Sequence, residues 1–409
     1  MKTAILSVGT EILFGQIVNT NTVYLSQQMN MLGFDVMYHY TVGDNPKRVE
    51  ETIDLAFQDC DLILTTGGLG PTQDDLTKEV ACKALDDTLV MMDDVLEEIT
   101  KYFKTLGREM TENNKKQAIM PSRATVFHND AGTAPGFALE KDGKYIICMP
   151  GPPREMKRMF QKSVVPFLQS MIDGALYYRQ IRFFGIGESM LETQLLDLID
   201  NQTDPTLATY AKEGECSLRI ASKRATEEEA EHAVDKMLEK VKERVGHYIY
   251  SCDDEELAQV VADRLMEQGL TLSSAESCTG GMFASTMTDI PGISQCFDRG
   301  LVTYSNQAKM EELGVSAETL EKFGAVSEET ALEMVEGLKR VSGSDVCISV
   351  TGIAGPGGGS EEKPVGLVYI GFSYGDKKIC KKIQMRNVNR SWNRHYTLLC
   401  MLNVIYRNI

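Results

Sequence analysis

Apolar and polar positions alternate between two periods along the chain. TAILSV is a short aliphatic and β-branched run that ends at Gly9, which predicts a strand. A helix is expected over Asn21–Leu32, with Gly33 suited to its C-terminal cap. FDVMYHYTVG reads as a second strand. Pro46 opens a second helix, a favoured place for proline because the first-turn N–H has no helical partner. DLILTTGG is a third strand that breaks at two glycines. Strands separated by helices of this length predict a parallel sheet with right-handed crossovers. Asp74–Leu85 reads as a helix, residues 90–120 as a polar helical excursion over the sheet edge, YIICMPGPP as a strand, and Met156–Met171 as a helix.

The pattern changes at residue 175. YYRQIRFFG alternates as a half-exposed strand, residues 188–200 read as a helix, and CSLRIASKR as another strand. Thr226, with Glu229 three places on, signals a capping box. From there Ala230, Ala233, Val234, Met237, Leu238, Val241 and Val245 fall on one helical face. Asp253 is read as the cap of a helix running to Gly269. TLSSAES, DVCISVTG and VGLVYIGFSY are strands of a further α/β region. The expected fold class is therefore two α/β domains, with parallel or mixed sheets, joined by a small α+β domain. Their boundaries are 1–172, 173–252 and 253–409.

Length and composition agree with several ordinary globular domains: 409 residues, 43% hydrophobic and 25% charged. The net charge of −17 argues against broad nucleic-acid binding, because phosphates are repelled. None of the ten cysteines forms a C-x-x-C pair, and Cys148 and Cys347 sit in apolar runs, so they read as buried thiols of a reducing compartment. No apolar stretch approaches the roughly 18 residues of a membrane helix, and the N-terminus has no signal-peptide pattern. A cytoplasmic protein with no membrane partner is expected.

Candidate chemistry gathers where strands end. Ser277 follows TLSSAE and precedes Cys278-Thr279-Gly280-Gly281, so its hydroxyl can project while glycine amides stay open to an oxyanion. The same serine reads equally as a helix N-cap. None of the five histidines lies near a strand–glycine motif, so a serine–histidine pair is not supported. A lysine can serve as base if burial lowers its pKa. Lys309, after the GLVTY run, is such a candidate, with Tyr304 as a proton relay; Lys309 also reads as a solvated surface charge. Thr351-Gly352, Gly355, Gly357 and Gly358 form a glycine-rich loop after a buried strand, fit either for phosphate or for a plain turn. Arg386, Arg390 and Arg394 are nearby cations, and Arg390 is the chosen phosphate partner.

Four segments in order, AESCTGG, GLVTYSNQAK, GAVSEETA (residues 324–331) and VTGIAGPGGGSEEKPVG (350–366), resemble the CinA C-terminal family, whose members are nicotinamide mononucleotide amidohydrolases. The resemblance spans about residues 253–409. It implies Ser277 as nucleophile, Tyr304 and Lys309 as its activating partners, no cofactor, and a homodimer. Where the family often has Gly-Asp-Arg, this chain has Val388-Asn389-Arg390, which keeps the arginine in a different loop.

At the other end, Gly67, Gly68, Gly70 and Thr72 follow a buried strand and precede Asp74-Asp75. Glycines allow close backbone approach, and a helix start favours phosphate. The two aspartates, with Asp44 and Glu11 at other strand ends, suit a divalent cation bridging to phosphate; they also read as charge compensation at a helix N-terminus. TTGGLGPTQDDLT resembles the molybdopterin-binding family. With SVGTEILFGQIVNTN and MPGPPREM it resembles the CinA N-terminal family over about residues 1–170. That resemblance implies ADP-ribose pyrophosphatase activity with a divalent metal of the Mg or Co class, for which Glu155 is a candidate base. FFGIGESMLE and the unit after it resemble the KH-like middle domain, without a G-x-x-G clamp for RNA. The expected function is a two-site hydrolase acting on small-molecule nucleotides in pyridine nucleotide salvage. Two alternatives stay open: a deamidase with a non-catalytic pterin- or nucleotide-binding module, and a non-enzymatic accessory protein of competence.

Overall fold

The computed structural model describes residues 1–171, 174–386 and 388–409. The expected boundary at residues 172/173 falls outside them. The chain divides into two compact units, Met1–Leu176 and Tyr177–Ile409.

In the first unit, strands β1 (Lys2–Val8), β2 (Asp35–Val42), β3 (Leu62–Thr66), β4 (Thr125–Phe127), β5 (Gly136–Lys141) and β6 (Lys144–Met149) form one sheet in the order β2-β1-β3-β6-β5-β4. The first four are parallel, as expected from their alternation with helices. The last two run antiparallel, so the sheet is mixed. That correction has a physical source: Gly136–Lys141 and its partner are joined by a tight turn at Asp142-Gly143, both with positive φ, and a hairpin carries no helical period to read. All five residues of β3 are buried, as a central strand covered on both faces requires. Helices α1 (Thr20–Met31) and α2 (Pro46–Asp59) begin at Asn19 and Asn45, whose side chains accept N–H bonds from Thr22 and Arg48. The helix expected over Asp74–Leu85 is shorter: α3 spans Thr77–Ala84, and the paired aspartates lie in the loop before it. The polar excursion is a strand–helix–strand piece, Leu89–Met91, Asp93–Thr105 and Ile119–Pro121, rather than continuous helix.

The second unit begins with a four-stranded sheet. Strands β7 (Ala175–Phe183), β8 (Thr206–Lys212), β9 (Glu215–Arg224) and β10 (Ile249–Ser251) take the order β8-β9-β7-β10, and helices α4 (Glu188–Asp200) and α5 (Glu227–Val245) complete this small α+β unit. Thr226 caps α5 by accepting from the Glu229 N–H, and Ala230, Val234, Leu238, Val241 and Val245 are buried along one face. Helix α6 (Leu257–Gln268) is not capped by Asp253: Glu256 occupies the cap position without a side-chain bond, and the Asp253 carboxylate pairs with Arg179 at 2.6 Å. Gly269 closes the helix in the left-handed conformation.

Strands β11 (Leu272–Glu276), β12 (Phe297–Val302), β13 (Val346–Gly352), β14 (Leu367–Tyr374) and β15 (Lys377–Gln384) follow in the order β12-β11-β13-β14-β15. The first three are parallel and the last two antiparallel. Helices α7 (Met282–Thr288), α8 (Asn306–Leu313), α9 (Glu328–Ser342) and α10 (Arg390–Tyr406) cover it. Gly337 lets α9 reach the end of α8: a Cβ there would lie 1.9 Å from the Leu313 carbonyl oxygen. In both α/β sheets the chain leaves the first parallel strand for one side and then returns to the other. This creates a crevice at the carboxyl ends of β1 and β3, and another at those of β11 and β13. Among the described residues no helix is long and apolar enough to cross a membrane.

Candidate active sites

Ser277 is the first residue past β11, and its N–H donates to the Val350 carbonyl at the end of β13, 3.1 Å away. Lys309 lies on the first turns of α8, a helix capped by Ser305. Its side chain runs inward and is only 1% exposed. The ammonium nitrogen stands 3.0 Å from Ser277 Oγ, 2.8 Å from the Thr303 carbonyl and 3.2 Å from the Tyr304 carbonyl. No carboxylate pairs with it, and burial lowers its pKa from 10.5 to about 8, the nearby Cys278 thiol opposing slightly. In the neutral form its two N–H groups satisfy the two carbonyls, and the lone pair is left for the Ser277 hydroxyl.

The turn after Ser277 is arranged differently from expectation. The Gly280 and Gly281 amides are not open: Gly280 N–H donates to the Ser277 carbonyl at 3.1 Å, and Gly281 N–H to Glu276 at 3.0 Å. The two central amides of the turn, of Cys278 and Thr279, have no acceptor among the described residues and are the donors that remain. Nor is Ser277 a helix cap, since that place belongs to Gly281. Glu276, which sequence reasoning passed over, is completely buried, and its carboxylate accepts from the amides of Gly281, Phe283 and Ala284 at 2.9–3.0 Å. It holds the start of α7 and with it the serine turn. Its signal was present, an acidic residue before a glycine turn, but only the helix start beyond the turn gives it meaning.

Tyr304 contributes its carbonyl to Lys309, whereas its phenol is 61% exposed and accepts from Arg390 at 3.2 Å. The relay expected of that hydroxyl therefore has no hydrogen bond to Ser277 or Lys309. Arg390 also donates to the Gly355 carbonyl at 2.7 Å, Asn393 donates to the Ala354 carbonyl at 2.9 Å, and Arg394 to the Thr279 carbonyl at 2.5 Å. Three residues of α10 thus fasten both loops of the crevice. Thr351 spends its hydroxyl on the Ala325 carbonyl, and Gly352 is packed against Val368, so both serve the loop's seating. Gly357 faces open space, and Gly355 and Gly358 have positive φ, 82° and 85°.

In the first unit, Gly9, Glu11, Asp44, Gly67, Gly68, Gly70, Thr72, Asp74, Asp75 and Glu155 all line one cavity of about 530 Å³. The structure therefore gathers every N-terminal candidate, from residues up to 146 positions apart in sequence (Gly9 to Glu155). Gly67 is obligatory there: its φ is 102°, and a Cβ would fall 2.0 Å from the Val8 carbonyl oxygen. The amide and hydroxyl of Thr72 both bond Asp75 Oδ2, so Thr72 shapes the loop instead of offering donors. Asp44 Oδ2 is likewise held by the amide and hydroxyl of Thr10, at 2.9 and 2.8 Å. Among the described residues no group of three or more His, Cys, Asp or Glu could hold an ion unaided. The second oxygens of Asp44 and Asp75 and the exposed Asp74 fit instead a divalent ion completed by phosphate oxygens and water, the usual arrangement for Mg²⁺. Burial raises the Glu155 pKa, opposed by the Asn129 amide that donates to it at 2.7 Å. Lys78 and Lys116 gave no sequence signal. Lys116 donates to the Thr72 carbonyl at 3.0 Å, and buried Lys78, its pKa lowered by desolvation to about 8, donates to the Lys116 carbonyl at 2.6 Å. Both hold the TQDD loop from 38 or more positions away (Lys78 to Lys116).

The architecture is that of a three-part protein with a crevice site in each α/β part. Comparison with known families agrees part by part: residues 4–170 match the probable molybdopterin binding domain, 178–251 the damage-inducible protein CinA KH domain, and 254–409 the CinA C-terminal domain. A CinA-like protein of Dictyoglomus thermophilum is 45% identical over 409 residues, covering 100% of this chain and 99% of that one. Another, of Kosmotoga olearia, is 47% identical over 385 residues, covering 94% and 93%. A solved structure of the competence/damage inducible protein CihA of Agrobacterium tumefaciens is 43% identical and covers 37% of this chain and 92% of that one, with a TM-score of 0.36. The chain belongs to the CinA family.

Proposed function

We propose that this protein is a two-site hydrolase of pyridine nucleotide breakdown products, whose C-terminal site converts nicotinamide mononucleotide to nicotinate mononucleotide and ammonia. The observation that carries the reading is the buried, carboxylate-free Lys309 amine 3.0 Å from Ser277 Oγ. Ser277 Oγ attacks the carboxamide carbon as its proton passes to the Lys309 lone pair. The tetrahedral oxyanion is met by the Cys278 and Thr279 amides. The protonated Lys309 returns the proton to the departing ammonia, and water then cleaves the nicotinoyl ester with Lys309 again as base. Arg390 and the Gly355–Gly358 loop, which it steadies, form the side of the crevice offered to the nucleotide phosphate. Ammonia release by Ser277→Ala and Lys309→Ala variants tests this; activity within about tenfold of wild type in both refutes it.

For the N-terminal cavity the reading is hydrolysis of ADP-ribose. A divalent ion, when bound, would neutralise the diphosphate. Asp44, Asp74 and Asp75 would hold it, Gly67–Gly70 would let the diphosphate approach the backbone, and Glu155 would take a proton from the attacking water. The second reading, a binding module without turnover, draws on the absence of a three-ligand ion site among the described residues. Metal-dependent release of AMP from ADP-ribose separates the two.

A further inference from the structure

A second large cavity, of about 500 Å³, lies in the Tyr177–Ile409 unit, between the small α+β sheet and the first turns of α10. It contains neither Ser277 nor Lys309. Its walls combine four features. Trp392 lies flat on Tyr396, with ring centroids 5.0 Å apart and planes 6° from parallel, and remains partly exposed. Arg386 is exposed and its guanidinium has no acceptor among the described residues, while Lys212 has only a loose pairing with Glu256 at 3.6 Å. Gly187 opens α4, a helix of 13 residues with no side-chain cap, so its first amides face the same cavity wall. Glu215 has a buried carboxylate oxygen, Oε1, with no hydrogen-bond partner, and Glu188 stands at the rim. A buried carboxylate oxygen without a donor is costly and marks a place where a ligand hydroxyl is accepted.

We infer that this cavity binds a mononucleotide: the base stacks on Trp392, the phosphate meets Arg386, Lys212 and the α4 amides, and a ribose hydroxyl donates to Glu215. A flat aromatic face suits any nucleobase, a free guanidinium and an open helix start suit a phosphate monoester, and a carboxylate suits a sugar diol. Inorganic phosphate alone leaves the ring and the carboxylate unused. A long nucleic-acid strand is opposed by the net charge of −17 and by the acids inside the cavity. The site also has a route to the serine crevice. The helix that carries Trp392 and Tyr396 carries Arg390, Asn393 and Arg394, which fasten the Gly355 and Thr279 loops. The position of this site does not depend on what Ser277 does.

Trp392 is the single tryptophan of the chain, so its emission reports the cavity directly. AMP is titrated against the full-length protein. Saturable quenching is expected, with adenosine and inorganic phosphate each binding about tenfold or more weakly. Arg386→Ala, an exposed and unpaired position, should weaken AMP by about tenfold or more, and Glu215→Gln should weaken AMP more than it weakens 2′,3′-dideoxy-AMP. Ser277→Ala and Asp75→Ala should leave the titration unchanged, which separates this site from both crevices whether or not they are catalytic. Three results overturn the inference: no saturable quenching, quenching indifferent to Arg386→Ala, or a single-stranded oligonucleotide that binds more tightly than AMP.

Discussion

Replacing Lys309 by methionine keeps the length and apolar bulk of the side chain and removes the amine. At pH 7 a lysine of pKa 10.5 is neutral in about three molecules in ten thousand; at a pKa of about 8, in about one in ten. Burial thus raises the supply of free amine about 300-fold. If that amine is the base for Ser277, Lys309→Met should lower kcat/KM for nicotinamide mononucleotide by about 10²–10⁴. Lys309→Arg should do the same, since a guanidinium stays protonated. The assay is ammonia release from about pH 6 to about pH 10. Wild-type kcat/KM should climb about tenfold per pH unit and level off near pH 8, where Lys309 becomes neutral. Stability runs in parallel. The folded pKa lies below the unfolded one, so the fold carries the cost of a buried ammonium in full below about pH 8, and the cost fades as pH rises toward 10.5. At about 1.4 kcal/mol per tenfold change in proton affinity, that cost is roughly 3 kcal/mol, offset in part by the two carbonyl bonds. Denaturation should show the stability of wild type relative to Lys309→Met improving between pH 8 and 10.5. A flat rate profile across this range, with Lys309→Met retaining more than about a tenth of wild-type activity, refutes the reasoning.

Glu276→Gln turns an N–H donor toward three backbone amides; it should cost about 3 kcal/mol of stability by denaturant titration and lower kcat more than it raises KM. Gly67→Ala places a methyl 2.0 Å from the Val8 carbonyl at a positive φ, so loss of ADP-ribose turnover is expected with the deamidase intact. The acid limb of ADP-ribose hydrolysis should lie above the ordinary carboxylate range, because burial raises Glu155, and Glu155→Gln should remove about 10² or more of that activity. A chelator should abolish AMP release and leave ammonia release untouched, measured on the same sample.

Much of this protein follows from local sequence alone. Pro46, Asn45 and Thr226 mark their helix starts by chemistry confined to one turn, and the apolar run of β3 announces a strand covered on both faces. The glycines after β1, β3 and β11 mark the places where backbone must bend, so the crevice residues were legible before any fold was known. Tertiary structure decided which polar groups remain available. Thr72 was read as a ligand donor and is consumed by Asp75; Gly280 and Gly281 were read as open amides and are consumed by Ser277 and Glu276. Lys309 could not be told from a surface lysine, because its neighbours Thr303 and Tyr304 turn their carbonyls inward only when β12 pairs with β11. A hydrogen bond between residues 32 positions apart, such as that joining Lys309 and Ser277, has no local signature, and neither does the desolvation that sets the proton affinity of an amine.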